Sequence, residues 1–155
     1  LSKNIINELG SLALATRLKN LSDRLAGDVA QFYKNSDVEF EPRWFTFIYA
    51  LKDGAEFSVT QLAGMLNQTH PAVNQVANTL VNKGFVEEFR DSNDQRKRIL
   101  KLSKKGNGLV VKMSPLWEKI KKANDDLLAE SADLLNALDL VEQALDKHSM
   151  LDRLK

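Results

Sequence analysis

A chain of 155 residues, 43% of them hydrophobic, can bury the core of one domain, or of one domain with extensions. It has no cysteine, which removes disulfides, thiol catalysis, iron–sulfur ligation and cysteine redox switches; His70 and His148 are its only histidines, which counts against a histidine-rich metal site. The net charge of +1 says little about partners, so only the distribution of charge bears on them.

From about Asn4 to Tyr33 there is no proline, and Leu14, Leu18, Leu21, Leu25, Val29 and Phe32 recur at spacings of three and four. This predicts one long helix. A second stripe, Ile5, Leu9 and Leu12, covers another face near its start. That is more apolar surface than one neighbour needs, which points to a second chain; burial of both stripes within one subunit is the alternative. The opening Leu1-Ser-Lys-Asn lacks the pattern of a signal sequence, no run of about 18 apolar residues predicts a membrane span, and a cytoplasmic location is expected.

Residues 35–41 read as a loop, and Pro42 opens the next helix. Trp44, Phe47, Ile48 and Leu51 fall on one face of it, with Phe45 and Tyr49 to the side. Such an aromatic stripe is either plain core or the lining of a ligand cavity. Gly54 ends the helix, and Glu56-Phe57 suggests a very short strand.

Ser58 and Gln61 form a capping-box pattern ahead of Val59, Leu62, Ala63 and Leu66, which share one helical face. Asn67-Gln-Thr-His70 breaks the pattern, and Pro71 restarts it in a first turn, where a missing N–H does no harm. Val73, Val76, Ala77 and Leu80 then line one side up to Gly84. Two short amphipathic helices joined by a tight turn read as a helix-turn-helix. Residues 85–90 and 98–102 alternate loosely in hydropathy around the polar stretch 91–97, which predicts a β-hairpin with a long charged tip. Helix-turn-helix followed by such a hairpin is a winged helix.

Beyond Lys105, Leu109, Val110, Met113, Leu116, Trp117 and Ile120 make one helical face, with Pro115 inside it and expected to kink it. Leu134, Leu138, Val141 and Leu145 are spaced like a heptad, and a helix so rich in leucine needs a partner surface. The expected fold class is mainly α with a small β-hairpin. A winged helix-turn-helix domain at 35–106 is flanked by a helical dimerisation region formed by 1–34 and 107–155. Charge is divided accordingly. Arg96, Lys97, Arg98, Lys101, Lys104 and Lys105 occur with no acid among them, whereas the residues from Glu118 onward carry nine acids against six bases. A polyanion at the hairpin face fits this asymmetry.

Residues 60–66, 70–76 and 80–86 resemble the helix-turn-helix of the multiple-antibiotic-resistance regulator (MarR) family of bacterial transcription factors. Asp91-Ser-Asn-Asp-Gln-Arg96 and Leu100-Lys-Leu-Ser-Lys-Lys-Gly106 resemble its wing and the start of its next helix. By order and length of elements the resemblance covers nearly the whole chain. It implies an obligate homodimer whose terminal helices form the dimer region, with two winged lobes on a palindromic operator. It also implies ligand-responsive repression or activation, usually by small, often phenolic or lipophilic, molecules bound near the junction of the two regions, and a ligand-responsive repressor is the expectation for this chain. Asn74-Gln75 stands where the family often has Ser/Thr-Arg, and Gln95-Arg96 where it often has paired arginines, so an operator sequence does not carry over.

DNA binding asks specific things of these residues. With the apolar side of the second helix inward, Asn74, Gln75 and Asn78 face the major groove, where Asn and Gln can pair bidentately with adenine. No arginine lies in this helix, which predicts an A·T-leaning operator core; a merely solvated face is the bland alternative. His70, Pro71 and Ala72 lie at the helix start, near a phosphate or simply in an exposed turn. Arg96 is the expected minor-groove cation, held by Asp94, with Lys97 and Arg98 as phosphate or further groove contacts. Lys101, Lys104 and Lys105 would add diffuse attraction. An effector crevice is expected near Phe32, Trp44, Tyr49 and Trp117.

No metal or cofactor is called for. The lone Gly-x-Gly at Gly106 to Gly108 lacks the rest of a dinucleotide fingerprint, and no catalytic constellation is present, so no enzymatic activity is expected. The rival reading is a winged helix that binds protein or RNA without operator specificity. It would require neither a dimer nor tight duplex binding.

Overall fold

A computed structural model describes residues 4–131 and 133–155; the first three residues of the expected N-terminal helical region and Ala132 lie outside the described residues. The chain divides into two compact units, Leu1–Lys112 and Met113–Lys155.

The first unit opens differently from the expectation of one long helix. Helix α1 spans only Ile5–Glu8, with the Asn4 side chain accepting from the backbone N–H of Ile6. A 3-10 turn at Gly10–Ala13 follows, and α2 runs over Leu14–Asn35. The break falls at Gly10, whose φ of +54° is open to a residue without Cβ and strained for others. Leu14, Leu18, Leu21 and Leu25 of α2 are exposed in the single chain, while Tyr33 near its end is buried.

A 3-10 turn at Pro42–Trp44 leads into α3, Phe45–Ala50. As the spacing predicts, Trp44, Phe47, Ile48 and Leu51 are buried and Tyr49 is left at the surface. The rings of Tyr33 and Phe40 lie 5.1 Å apart edge to face, those of Phe40 and Trp44 5.7 Å, and Trp44 is 6.4 Å from Phe85. This aromatic chain joins the end of α2 to the far side of the helix-turn-helix.

Helix α4, Val59–Met65, begins with the expected capping box: Gln61 N–H donates to Ser58 Oγ at 3.2 Å, and Ser58 N–H to Gln61 Oε1 at 2.9 Å. Asn67, at φ +49°, turns the chain, and α5 spans His70–Asn82 with Thr69 as its cap. Val59, Leu62 and Ala63 of α4 and Val73, Ala77 and Leu80 of α5 are buried. Val76, also expected inward, is half-buried.

Strands β1 (Glu56–Ser58), β2 (Val86–Arg90) and β3 (Arg98–Leu102) form an antiparallel sheet in the order β1-β3-β2. Phe57 pairs with Leu100, and Phe89 with Ile99. The central strand buries Leu100 and Leu102, two residues apart and so on one face.

Helix α6, Lys104–Ala129, follows at once and contains Pro115. Ser103 fastens its start: its hydroxyl donates to the Gly84 carbonyl at 2.6 Å and accepts from Gly106 N–H at 3.0 Å. Within the second unit, Lys121–Asp125 and Lys122–Asp126 pair one turn apart at 2.6 and 2.7 Å. Helices α7 (Leu134–Lys147) and α8 (Met150–Arg153) close the chain. Leu134, Leu135, Leu140, Val141 and Leu145 of α7 and Met150 and Leu151 of α8 are exposed. Among the described residues, no helix is long and apolar enough to cross a membrane.

Candidate nucleic-acid interface

The apolar stripe of α5 decides what its other side presents. With Val73, Ala77 and Leu80 buried, Gln75 and Asn78 are exposed and Asn74 is half-buried. At the helix start His70 and Pro71 are exposed and Ala72 is half-buried, its N–H donating to Thr69 Oγ1 at 3.3 Å. The cap and Pro71 together satisfy or remove two of the first-turn donors.

The helix lacks a cation of its own, but β3 supplies one. Arg98 donates through Nη1 to Asn78 Oδ1 at 2.8 Å and to Asn74 Oδ1 at 3.3 Å. Its Nε pairs with the Glu88 carboxylate on β2. Three residues from two other elements therefore hold one guanidinium, whose side chain is only 22% exposed. Sequence reasoning places Arg98 among the groove contacts without revealing this connection. The available signal is the hairpin register: Arg98 pairs with Arg90, which sets Glu88 on the diagonal of the same face.

The hairpin tip is a folded turn. Asp91 Oδ1 accepts from the N–H groups of Asn93 and Asp94 at 2.7 and 3.0 Å, and these donors hold its carboxyl below the usual carboxylate range. The loop closes by Lys97 N–H to Asp94 O at 2.9 Å and Asp91 N–H to Lys97 O at 3.1 Å. The expected Asp94–Arg96 ion pair is present: Asp94 Oδ1 accepts both Arg96 N–H at 3.0 Å and Arg96 Nε at 3.3 Å. Arg96 still leaves its side chain 93% exposed, and Lys97 is exposed beside it.

The remaining basic residues divide. Lys101 lies 3.8 Å from the Glu87 carboxylate and over the Phe89 ring. Lys105 donates to the Lys83 carbonyl at 2.7 Å and stands over Phe85. Both have structural partners, whereas Lys104 is exposed at the start of α6.

Of the aromatics expected at an effector crevice, Trp44 is packed between Phe40 and Phe85, and Phe32 reaches it through Tyr33 and Phe40. Tyr49 stands apart, 5.5 Å from Phe45 and under the Lys52 ammonium at 4.0 Å. Trp117 belongs to the second unit. Among the described residues there is no group of three or more side chains able to hold a metal ion.

Residues 39–97 match the model of the MarR family, a span that covers α3 to the hairpin tip. A comparison with curated proteins finds no match. Among solved structures, a mutant MarR from E. coli complexed with operator DNA is 19% identical at a TM-score of 0.65, covering 92% of this chain and 99% of that one. The MepR–DNA complex of S. aureus is 17% identical at a TM-score of 0.64, with coverages of 88% and 97%. The PcaV transcriptional regulator of Streptomyces coelicolor in complex with its natural ligand is 18% identical at 0.65, with coverages of 88% and 92%. At these identities the likeness is one of fold. The winged helix built by α4, α5 and the hairpin thus lies mostly within the stretch that matches the MarR family model, and over most of its length the chain is similar in fold to the solved MarR structure.

Proposed function

We propose that this chain is a sequence-specific regulator of transcription that binds double-stranded DNA as a homodimer on a pseudo-palindromic operator. The observation that carries the reading is a polar α5 face joined through Arg98 to a hairpin whose tip carries the exposed, turn-mounted Arg96. The helix suits the major groove, and a cation on a narrow hairpin suits the adjacent minor groove. Ala72, Asn74, Gln75 and Asn78 take the base edges, and His70 and Pro71 approach a phosphate. On the wing, Asp94 orients Arg96, and Lys97 adds phosphate contact. This reading assigns the chain no catalytic activity, no metal and no cofactor.

The helices in 1–34 and 107–155 are the dimerisation region in this reading. Support comes from the exposed leucines of α2 and α7, an unusual amount of apolar surface for a chain to leave in water. The dimer would act in the cytoplasm as a repressor released by a small aromatic or lipophilic effector, since the solved structures of the same fold include ligand-bound as well as DNA-bound regulators. Phe32 and Tyr49 are the side chains of the first unit offered to such an effector. The ligand would act by preferring one separation of the two recognition helices, which must stand about 34–36 Å apart to match one turn of duplex.

Gel filtration combined with a salt-dependent shift assay on genomic fragments tests the reading. A dimer whose affinity for a subset of fragments falls steeply with salt supports it. A monomer, or a protein that ignores duplexes at low ionic strength, overturns it.

A further inference from the structure

The recognition face reads bases through a residue outside the recognition helix. We propose that Arg98 sets base choice by turning Asn74 and Asn78 into donor-only groups that select guanine. The inference rests on the DNA-binding reading above and replaces the A·T expectation at the positions these two residues face.

An asparagine that reads adenine uses both ends of its amide: Oδ1 accepts from N6–H and Nδ2 donates to N7. Here Oδ1 of both residues already accepts from Arg98 Nη1, at 3.3 Å and 2.8 Å. A guanidinium beside those oxygens also repels a second donor, whether adenine N6 or cytosine N4. What the cluster still offers is N–H: the Nδ2 groups of both asparagines and the Nη2 group of Arg98. The base that meets such a face without conflict is guanine, whose major-groove edge presents two acceptors, N7 and O6. Adenine would bring its N6 donor against the same N–H groups, and thymine has a single acceptor.

The arrangement is fixed before any base arrives. Glu88 takes Arg98 Nε, which leaves the Nη1 side of the fork turned to α5. Helix α5 contains neither arginine nor lysine between His70 and Asn82, so the guanine-reading cation comes from β3. Gln75 is exposed and makes no side-chain hydrogen bond among the described residues, so it keeps both amide ends for adenine. Glu88 is a positioning residue in this scheme.

The test is selection of bound duplexes from a randomised pool by the full chain, by Arg98→Met and by Glu88→Gln, with melting followed by circular dichroism for each. The unsubstituted protein is expected to enrich guanine at one or two positions of each half-site. Arg98→Met is expected to lose that preference roughly tenfold and to gain adenine at the same positions, with other positions unchanged. Glu88→Gln, which keeps the cation but removes the charge that holds its Nε, is expected to weaken the guanine preference several-fold, and it serves alone if Arg98→Met does not fold. Enrichment of adenine at those positions by the unsubstituted protein, or an unchanged guanine preference in the folded variants, overturns the role of Arg98 while leaving sequence-specific binding intact. A pool in which the unsubstituted protein enriches nothing overturns the DNA-binding reading and this inference together.

Discussion

A β-carbon on Gly106 would stand 2.0 Å from the carbonyl oxygen of Phe85. The first turn of α6 thus runs against the backbone that enters β2, and Ser103 fastens the same junction from the Gly84 side. Gly108, two residues on, has nothing within 4 Å of its β-carbon position. Gly106→Ala is expected to destabilise the chain by about 1–3 kcal/mol or more, because backbone rather than a flexible side chain must move. Gly108→Ala is expected to stabilise by roughly 0.5–1 kcal/mol, the helical preference of alanine over glycine. Urea unfolding of the two variants checks the pair, and equal effects would show that the close approach at Gly106 carries no weight.

Ser58→Ala removes one arm of the capping box on α4 and should cost about 1 kcal/mol. The bond removed is the one from Gln61 N–H to Ser58 Oγ, at a serine that is buried. Ser58→Asp keeps an acceptor at the cap and is expected to recover part of the stability. Midpoints in urea at unchanged slope would report the difference.

Arg96, though paired with Asp94, keeps its side chain almost wholly in solvent at the end of the wing, whereas Lys101 is 40% exposed and lies against Glu87 and the Phe89 ring. If Arg96 meets DNA, Arg96→Ala lowers affinity and flattens the dependence of log K on log salt by about 0.9 for each phosphate that is no longer neutralised. Lys101→Ala is expected to change that slope less. Binding isotherms at several salt concentrations give both numbers, and an Arg96→Ala slope equal to that of the unsubstituted protein would remove Arg96 from the interface.

The wing turn should loosen in acid. Asp91 accepts two backbone N–H bonds, and its folded pKa lies below its unfolded value. Its contribution is therefore present above the unfolded carboxylate range and is lost as pH falls through the folded value. Amide resonances of Asn93 and Asp94 followed through that acid window should report the loss of both bonds together. Shifts completed at the ordinary carboxylate pKa would contradict the account.

If the exposed leucines of α2 meet a second copy, a charge among them should separate the copies. Leu21→Glu and Leu25→Glu both lie in the middle of α2 at exposed positions. Each is expected to move the protein from dimer to monomer in gel filtration, with the winged helix itself still folded. A dimer unchanged by both would place the subunit contact elsewhere.

Local pattern is readable where each element is short and has one environment. The capping box at Ser58, the apolar spacing of α3, α4 and α5, and the two strands β2 and β3 all correspond to observed structure, although β2 buries only Val86 and leaves Phe89 exposed instead of alternating. The N-terminal helix departs from its pattern for a physical reason. Glycine fits both the interior of a helix and a positive-φ break, so the sequence cannot distinguish Gly27, inside α2, from Gly10, which ends the helical run. Leucine spacing of three and four persists on both sides of the break and so mimics continuity.

The residue types on each face of the helix-turn-helix, the turn chemistry of the wing and the clustering of cations from Arg96 onward were settled by the chain's own order of residues, because each depends on neighbours a few positions apart. The connection of Arg98 to Glu88, Asn74 and Asn78 was decided only by folding. It spans 10 to 24 residues and exists because the register of β2 with β3 and the packing of α5 against that hairpin bring three polar groups around one guanidinium. Residue identities determine which groups can bond; only the tertiary arrangement determines which amide ends are already taken, and hence what is left for a base to meet.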